Sequence, residues 1–218
     1  MGSLAAMKAQ IWLTGFEPFG NHAENPSQQL VERLLDTTRT HHFVEATVHA
    51  WGSVSVEMTF SGMILSVDEA GSRQSVEHLT DIDAVVHVGL HENTEKVQLE
   101  MSASNENHFR IADNSGRQIS RASIIESGDS QLHTTVARDI IESAFSSNDD
   151  VIISDDCGRF VCNETYYRTL HSINAQEFQS RGRELPAIFV HIPSFNHVSA
   201  EVQLEILCEL CAHIVMAL

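Results

Sequence analysis

The sequence predicts an α/β protein, a three-layer α/β/α single domain around a mainly parallel (mixed) central sheet. Two observations predict it. Short, continuous apolar runs bounded by turn residues recur along the chain, as expected of strands buried on both faces. Segments of helical spacing lie between those runs.

The first strand is AQIWLTG (9–15), preceded by MGSLAAMK (1–8), an N-terminal extension without the long apolar core of a secretory signal. Helical spacing follows over 27–38, then the run FVEATVHAW (43–51) and a second helical segment over 54–67. AVVHVGL (84–90) is the next strand. From 97 to 130 the chain turns extended, then polar and turn-rich. A loop of that length inside a compact domain reads as an ordered excursion beside the site. A helix over 133–146, the strand VIIS (151–154), a helix over 162–175, the strand AIFVHIP (187–193) and a terminal helix over 199–217 complete the pattern.

Lys and Arg number 13 against 30 Asp and Glu, a formal charge of -17. A surface so acidic repels phosphate backbones and anionic membranes, so neither a nucleic acid nor a membrane is expected as partner. No apolar run approaches a bilayer's thickness. The four cysteines show no spaced framework, which fits free thiols in a reducing, cytoplasmic compartment.

Cys162 follows the strand 151–154 and a turn containing Gly158, and it opens the helical segment CNETYYRTLHSI. At a helix start its sulfur sits among unpaired backbone N–H groups, which favour thiolate and could hold a developing oxyanion. The alternative is a small buried hydrophobe. His191 ends the run AIFVH and so stands at a strand's C-terminal edge, where parallel α/β sheets collect ligands. Glu100 closes KVQLE, with Val97 and Leu99 on one face and Gln98 and Glu100 on the other. A carboxylate of this kind could orient an imidazole. TGFEPFG (14–20) places Phe16 and Phe19 in a Gly/Pro turn, either tucked onto the core or lining a small apolar pocket. Cys208 and Cys211 form a C-x-x-C with His213 nearby, but inside an apolar-periodic helix and without a second ligand pair, so they read as packing rather than a metal site.

Taken together, TGFEPFG, NPS (25–27), VVHVGL, the LE ending at Glu100, RIADN (110–114), TT (134–135), DCGRFVCNETYY and FVHIP resemble, in order and over most of the chain, pyroglutamyl peptidase I (pyrrolidone carboxylate peptidase), a cysteine peptidase family. The resemblance implies one peptidase domain over 9–218 that removes N-terminal pyroglutamate from peptides without cofactor or metal. It assigns Cys162 as nucleophile, His191 as general base and Glu100 as its carboxylate partner. It matches Phe16 and Phe19 to the rings that hold the pyroglutamyl group, and Phe160, Val161, Ile111 and Arg110 to other substrate-facing positions. Cys157 falls where the family has a small residue and reads as packing. Many bacterial members carry a glutamine after VG, where this chain has Leu90 followed by His91, so backbone groups of the 91–96 or 110–114 loops are expected to meet the lactam's polar edge. The alternatives are another thiol-dependent amidase or hydrolase on the same scaffold, and a non-catalytic binding relative.

Overall fold

The computed structural model describes residues 7–20, 22–36, 42–48 and 52–218. Its centre is a seven-stranded sheet built from β1 (Met7–Phe16), β2 (His42–Val48), β3 (Gly52–Leu65), β4 (Ala84–Leu90), β5 (Val97–Glu100), β8 (Val151–Ser154) and β11 (Ala187–Ile192), in the order β2-β3-β1-β4-β11-β5-β8. The pairs β1–β3, β1–β4, β4–β11 and β5–β8 are parallel, while β2–β3 and β5–β11 are antiparallel. The sheet is therefore mixed and mainly parallel, as the sequence predicts. Two short ribbons lie outside it, one of β6 (Ser102–Ser104) with β7 (Gln131–His133), the other of β9 (Gln179–Ser180) with β10 (Arg183–Glu184).

The central strands β4 and β11 are mostly apolar and almost wholly buried because helices cover both faces, with His87 and His191 as their polar members. One face buries Leu30, Val31 and Leu34 of α1 (Pro26–Leu35), Ile141 and Phe145 of α3 (Arg138–Phe145), and Ile206, Leu210 and Ile214 of α5 (Ala200–Met216) against Ile11, Leu13, Val86, Val88 and Val190. The other buries Tyr166, Leu170 and Ile173 of α4 (Val161–Gln176) against Phe16, Val85 and Phe189, with α2 (Glu69–Gln74) beside α4.

Four readings need correction. The segment 54–67 is not a helix but most of β3, because Val56 and Met58 alternate with Glu57 and Thr59 at the period of a strand. The segment 133–146 divides into the end of β7 and the shorter α3, which starts only at Arg138. β1 begins two residues early, so Met7 and Lys8 pair with Val56 and Glu57 rather than belonging to an extension. α1 ends at Leu35 with Asp36 as its cap. Residues 1–6 of the expected extension, 37–38 of the expected helix and 49–51 of the expected strand lie outside the described residues.

Candidate active site

β8 ends at Ser154, and the chain turns through Asp156, Cys157 and Gly158 into α4. Gly158 adopts φ +76, a left-handed conformation that costs a glycine little, and its N–H donates to Asp156 Oδ1 at 3.1 Å. The first helical hydrogen bond runs from Glu164 N–H to Phe160 O, 3.0 Å. The amides of residues 161–163 thus lie in the first turn of α4 without an intrahelical acceptor, and Cys162 lies among them. Its thiol is free and half-buried. On the sheet below it, Gly89 leaves the room: a Cβ there would come within 3.0 Å of Cys162 Sγ and 2.7 Å of the Phe189 ring.

His191 on β11 lies opposite Gly89 on one side and Gln98 on the other. Its Nδ1 is 2.7 Å from Oε1 of Glu100, a carboxylate with no exposure to solvent. Burial disfavours the imidazolium, but the hydrogen bonds and charges of Cys162 and Glu100 overcome it and push His191 up to about 9. With Nδ1 held by the carboxylate, Nε2 is left for the thiol. The Tyr166 hydroxyl of α4 donates to the Glu100 carbonyl at 3.1 Å, tying the helix that bears Cys162 to the strand that bears Glu100.

These groups open onto a cavity of about 810 Å³. Phe16, Phe19, Phe160, Arg110 and Ile111 line it, together with Cys162 and His191. The Phe19 and Phe160 rings are 5.0 Å apart, and Phe109 meets Phe160 edge-on at 4.8 Å. Val161 differs: its side chain is fully buried in the core beneath α4 and does not line the cavity. Cys157 packs in that core as expected, though it also reaches the cavity floor, and burial pushes its thiol well above the ordinary range.

The motifs that look like loops on paper are the braces of this wall. Ser27 Oγ accepts the Phe16 N–H at 3.0 Å, and Asn25 Nδ2 donates to Glu17 O at 3.0 Å. From the excursion, Asn114 Nδ2 donates to Glu17 Oε1 at 2.9 Å and Pro18 O at 3.0 Å, and His108 N–H donates to Arg159 O at 2.9 Å. The 105–130 segment is therefore an ordered part of the site. The cavity is also lined by residues that sequence reasoning did not assign to the site, among them His22, His108 and Gln98. The alternation in KVQLE, which sets Gln98 on the face of Glu100, was the available signal for the last. Away from the site, Cys211 is a core residue of α5 with Cys208 packed beside it, and burial pushes Cys208 up to about 11. Among the described residues, no helix is long and apolar enough to cross a membrane.

A family model described as pyroglutamyl peptidase matches residues 9–216. Pyrrolidone-carboxylate peptidase of Vibrio parahaemolyticus is 29% identical over 185 residues, covering 84% of this chain and 78% of that protein. Its counterpart from Enterococcus faecalis is 29% identical over 192 residues, with the same coverage of 84% and 78%. Among solved structures, pyrrolidone carboxyl peptidase from Pyrococcus furiosus superposes with a TM-score of 0.76 at 20% identity, over 95% of this chain and 99% of that one. The enzyme from Thermococcus litoralis gives 0.74 at 22%, over 96% and 94%. The structural likeness shows a common fold, and the family model spans nearly the whole sequence: the chain belongs to the pyroglutamyl peptidase family.

Proposed function

We propose that this chain is a cysteine-type omega-peptidase that hydrolyses the N-terminal pyroglutamyl residue from peptides, with Cys162 as nucleophile, His191 as acid and base, and Glu100 as the partner that orients His191. The observation that carries the reading is the 2.7 Å contact between His191 Nδ1 and the buried Glu100 carboxylate, with the Cys162 thiol on the same imidazole at the cavity wall.

The thiolate attacks the pyroglutamyl carbonyl, and the free amides at the start of α4 receive the oxyanion. Collapse breaks the carbon–nitrogen bond as His191 passes its proton from Nε2 to the departing amine, leaving a thioester on Cys162. Water then attacks the thioester, the neutral imidazole takes its proton, and pyroglutamate leaves with the thiol regenerated. Glu100 holds the ring by Nδ1 and stabilises its charged form in both half-reactions. No cofactor takes part.

Selection of a blocked N-terminus follows from the Phe16, Phe19 and Phe160 wall, where burying the ammonium of an ordinary peptide would be costly. For the lactam's polar edge, the His91 backbone is already engaged, its N–H to Ile192 O at 2.9 Å and its carbonyl to Thr94 N–H at 3.2 Å. Among the described residues, the backbone groups of Ile111 and Ala112 carry no hydrogen bond, and we assign the lactam to them. Residues 7–218 form the peptidase domain in this reading, and a reducing cytoplasm keeps its four cysteines free.

A panel of arylamides tests it. The protein should release chromophore from the pyroglutamyl compound and not from free-amine analogues. Preference for the free-amine series would overturn the reading.

A further inference from the structure

We infer that Gln98 is a specificity residue on the leaving-group side of the site, where its carboxamide holds the backbone of the first residue of the departing peptide. The inference rests on the function proposed above and adds the part of the substrate beyond the scissile bond.

Gln98 lies on β5 directly opposite His191 of β11, two residues before Glu100. Opposed residues of an antiparallel pair project to one face, and alternation puts Gln98 and Glu100 on that same face. Glu100 spends its reach on the imidazole, whereas the Gln98 side chain lines the cavity with Cys162 and His191. It is half-buried, and among the described residues its carboxamide makes no hydrogen bond. A carboxamide has two donor hydrogens and one acceptor oxygen, and covering it with ligand while leaving these unpaired would be costly. The group is placed to take a polar partner from what enters the cavity.

Strand order says which end of the substrate that partner belongs to. Along the site edge of the sheet come β1 with Phe16 and the turn bearing Phe19, then β4, β11 with His191, and β5 with Gln98. The aromatic wall for the pyroglutamyl ring and the Gln98 carboxamide thus stand on opposite sides of the histidine. His191 gives its proton to the departing nitrogen, so the leaving peptide extends from the sulfur toward the histidine's side, and β5 is the next strand beyond it. Two neighbouring polar groups on the β8 side are occupied: Asp156 Oδ1 accepts the Gly158 N–H at 3.1 Å, and Ser154 Oγ donates to Asp156 O at 3.4 Å. A neutral group that both donates and accepts matches the C=O and N–H of a peptide backbone and makes no demand on side-chain charge.

The test compares kcat/KM for a pyroglutamyl-alanyl-alanine amide with that for a pyroglutamyl arylamide, whose leaving group has no peptide backbone beyond the scissile amide. In Gln98→Met, which fills the same space without the carboxamide, the peptide-to-arylamide ratio should fall roughly fivefold to tenfold, the worth of one neutral hydrogen bond. Gln98→Asn, which withdraws the carboxamide by one methylene, should lower the ratio in the same direction and serves if the Met variant does not fold. An unchanged ratio, or equal losses on both substrates, would overturn the inference. Failure of the wild type on both substrates would instead overturn the functional reading itself.

Discussion

Two buried histidines on adjacent strands show what surroundings do to one residue type. His87 on β4 sits between Thr14 Oγ1 (2.7 Å) and Thr169 Oγ1 (2.9 Å), neutral partners that cannot support a charge, and burial pushes it down to about 3. His191 on β11 is equally enclosed, yet the thiol and carboxylate beside it push it up to about 9. The difference lies in the partners, which sequence alone could nominate but not join. The order of motifs singled out Cys162, His191 and Glu100 among 4 cysteines, 13 histidines and 30 acidic residues; the geometry that unites them comes from strands far apart in sequence. Since leaving-group protonation needs imidazolium, kcat/KM should fall as pH rises through about 9. Glu100→Gln removes one of the charges that holds the proton, so the alkaline limb should move to lower pH and the rate drop by a factor on the order of 10²–10⁴. A pH–rate profile unchanged by that substitution would remove Glu100 from the mechanism.

At the scale of elements, α4 both presents Cys162 and anchors the loop that walls the cavity. Glu164, two residues past Cys162 and fully buried, accepts from Arg117 Nη2 and Arg168 Nη2, each at 2.7 Å. Arg117 also holds Asp113 at 2.8 Å and lies 5.0 Å over the Phe109 ring. Residues 109–117, including Arg110 and Ile111, are therefore clamped to the helix that bears Cys162. Removing one partner strands buried charge, so Glu164→Ala should cost about 3–5 kcal/mol in chemical denaturation. Arylamide KM should rise with it as the 110–111 wall loosens, whereas loss of stability with KM unchanged would make the clamp purely structural. This clamp was not legible beforehand, because a charged residue in a helix usually faces solvent, and only tertiary packing buries Glu164. β3 was misread for a related reason. Its apolar residues satisfy helical and strand spacing about equally over a short window, and pairing with β1 along Met7–Phe16 settles it as strand. By contrast β4, β8 and β11, buried on both faces or ending at the site, were legible as short, mostly apolar runs.

For the whole molecule, the two histidines pull stability in opposite directions with pH. Below the ordinary imidazole value of 6.5 the unfolded chain binds a proton that folded His87 refuses, so stability rises with pH from about 3 to 6.5. Folded His191 keeps its proton above 6.5 while the unfolded chain loses it, so that contribution is full below 6.5 and disappears as pH climbs through about 9. Urea midpoints should therefore peak near pH 6.5, and Cys162→Ala, which takes away one support of the imidazolium, should flatten the alkaline decline. An alkaline decline identical in both proteins would assign it to other groups. All of this presumes that sheet order brings Cys162, His191 and Glu100 to one cavity as a working set. Trapping the acyl-enzyme during turnover of a pyroglutamyl arylamide, and mapping it by peptide mass spectrometry, tests that most directly. The account predicts a pyroglutamyl thioester on Cys162 and loss of turnover in Cys162→Ala; an acyl group on any other residue, or turnover undiminished in that variant, would contradict it.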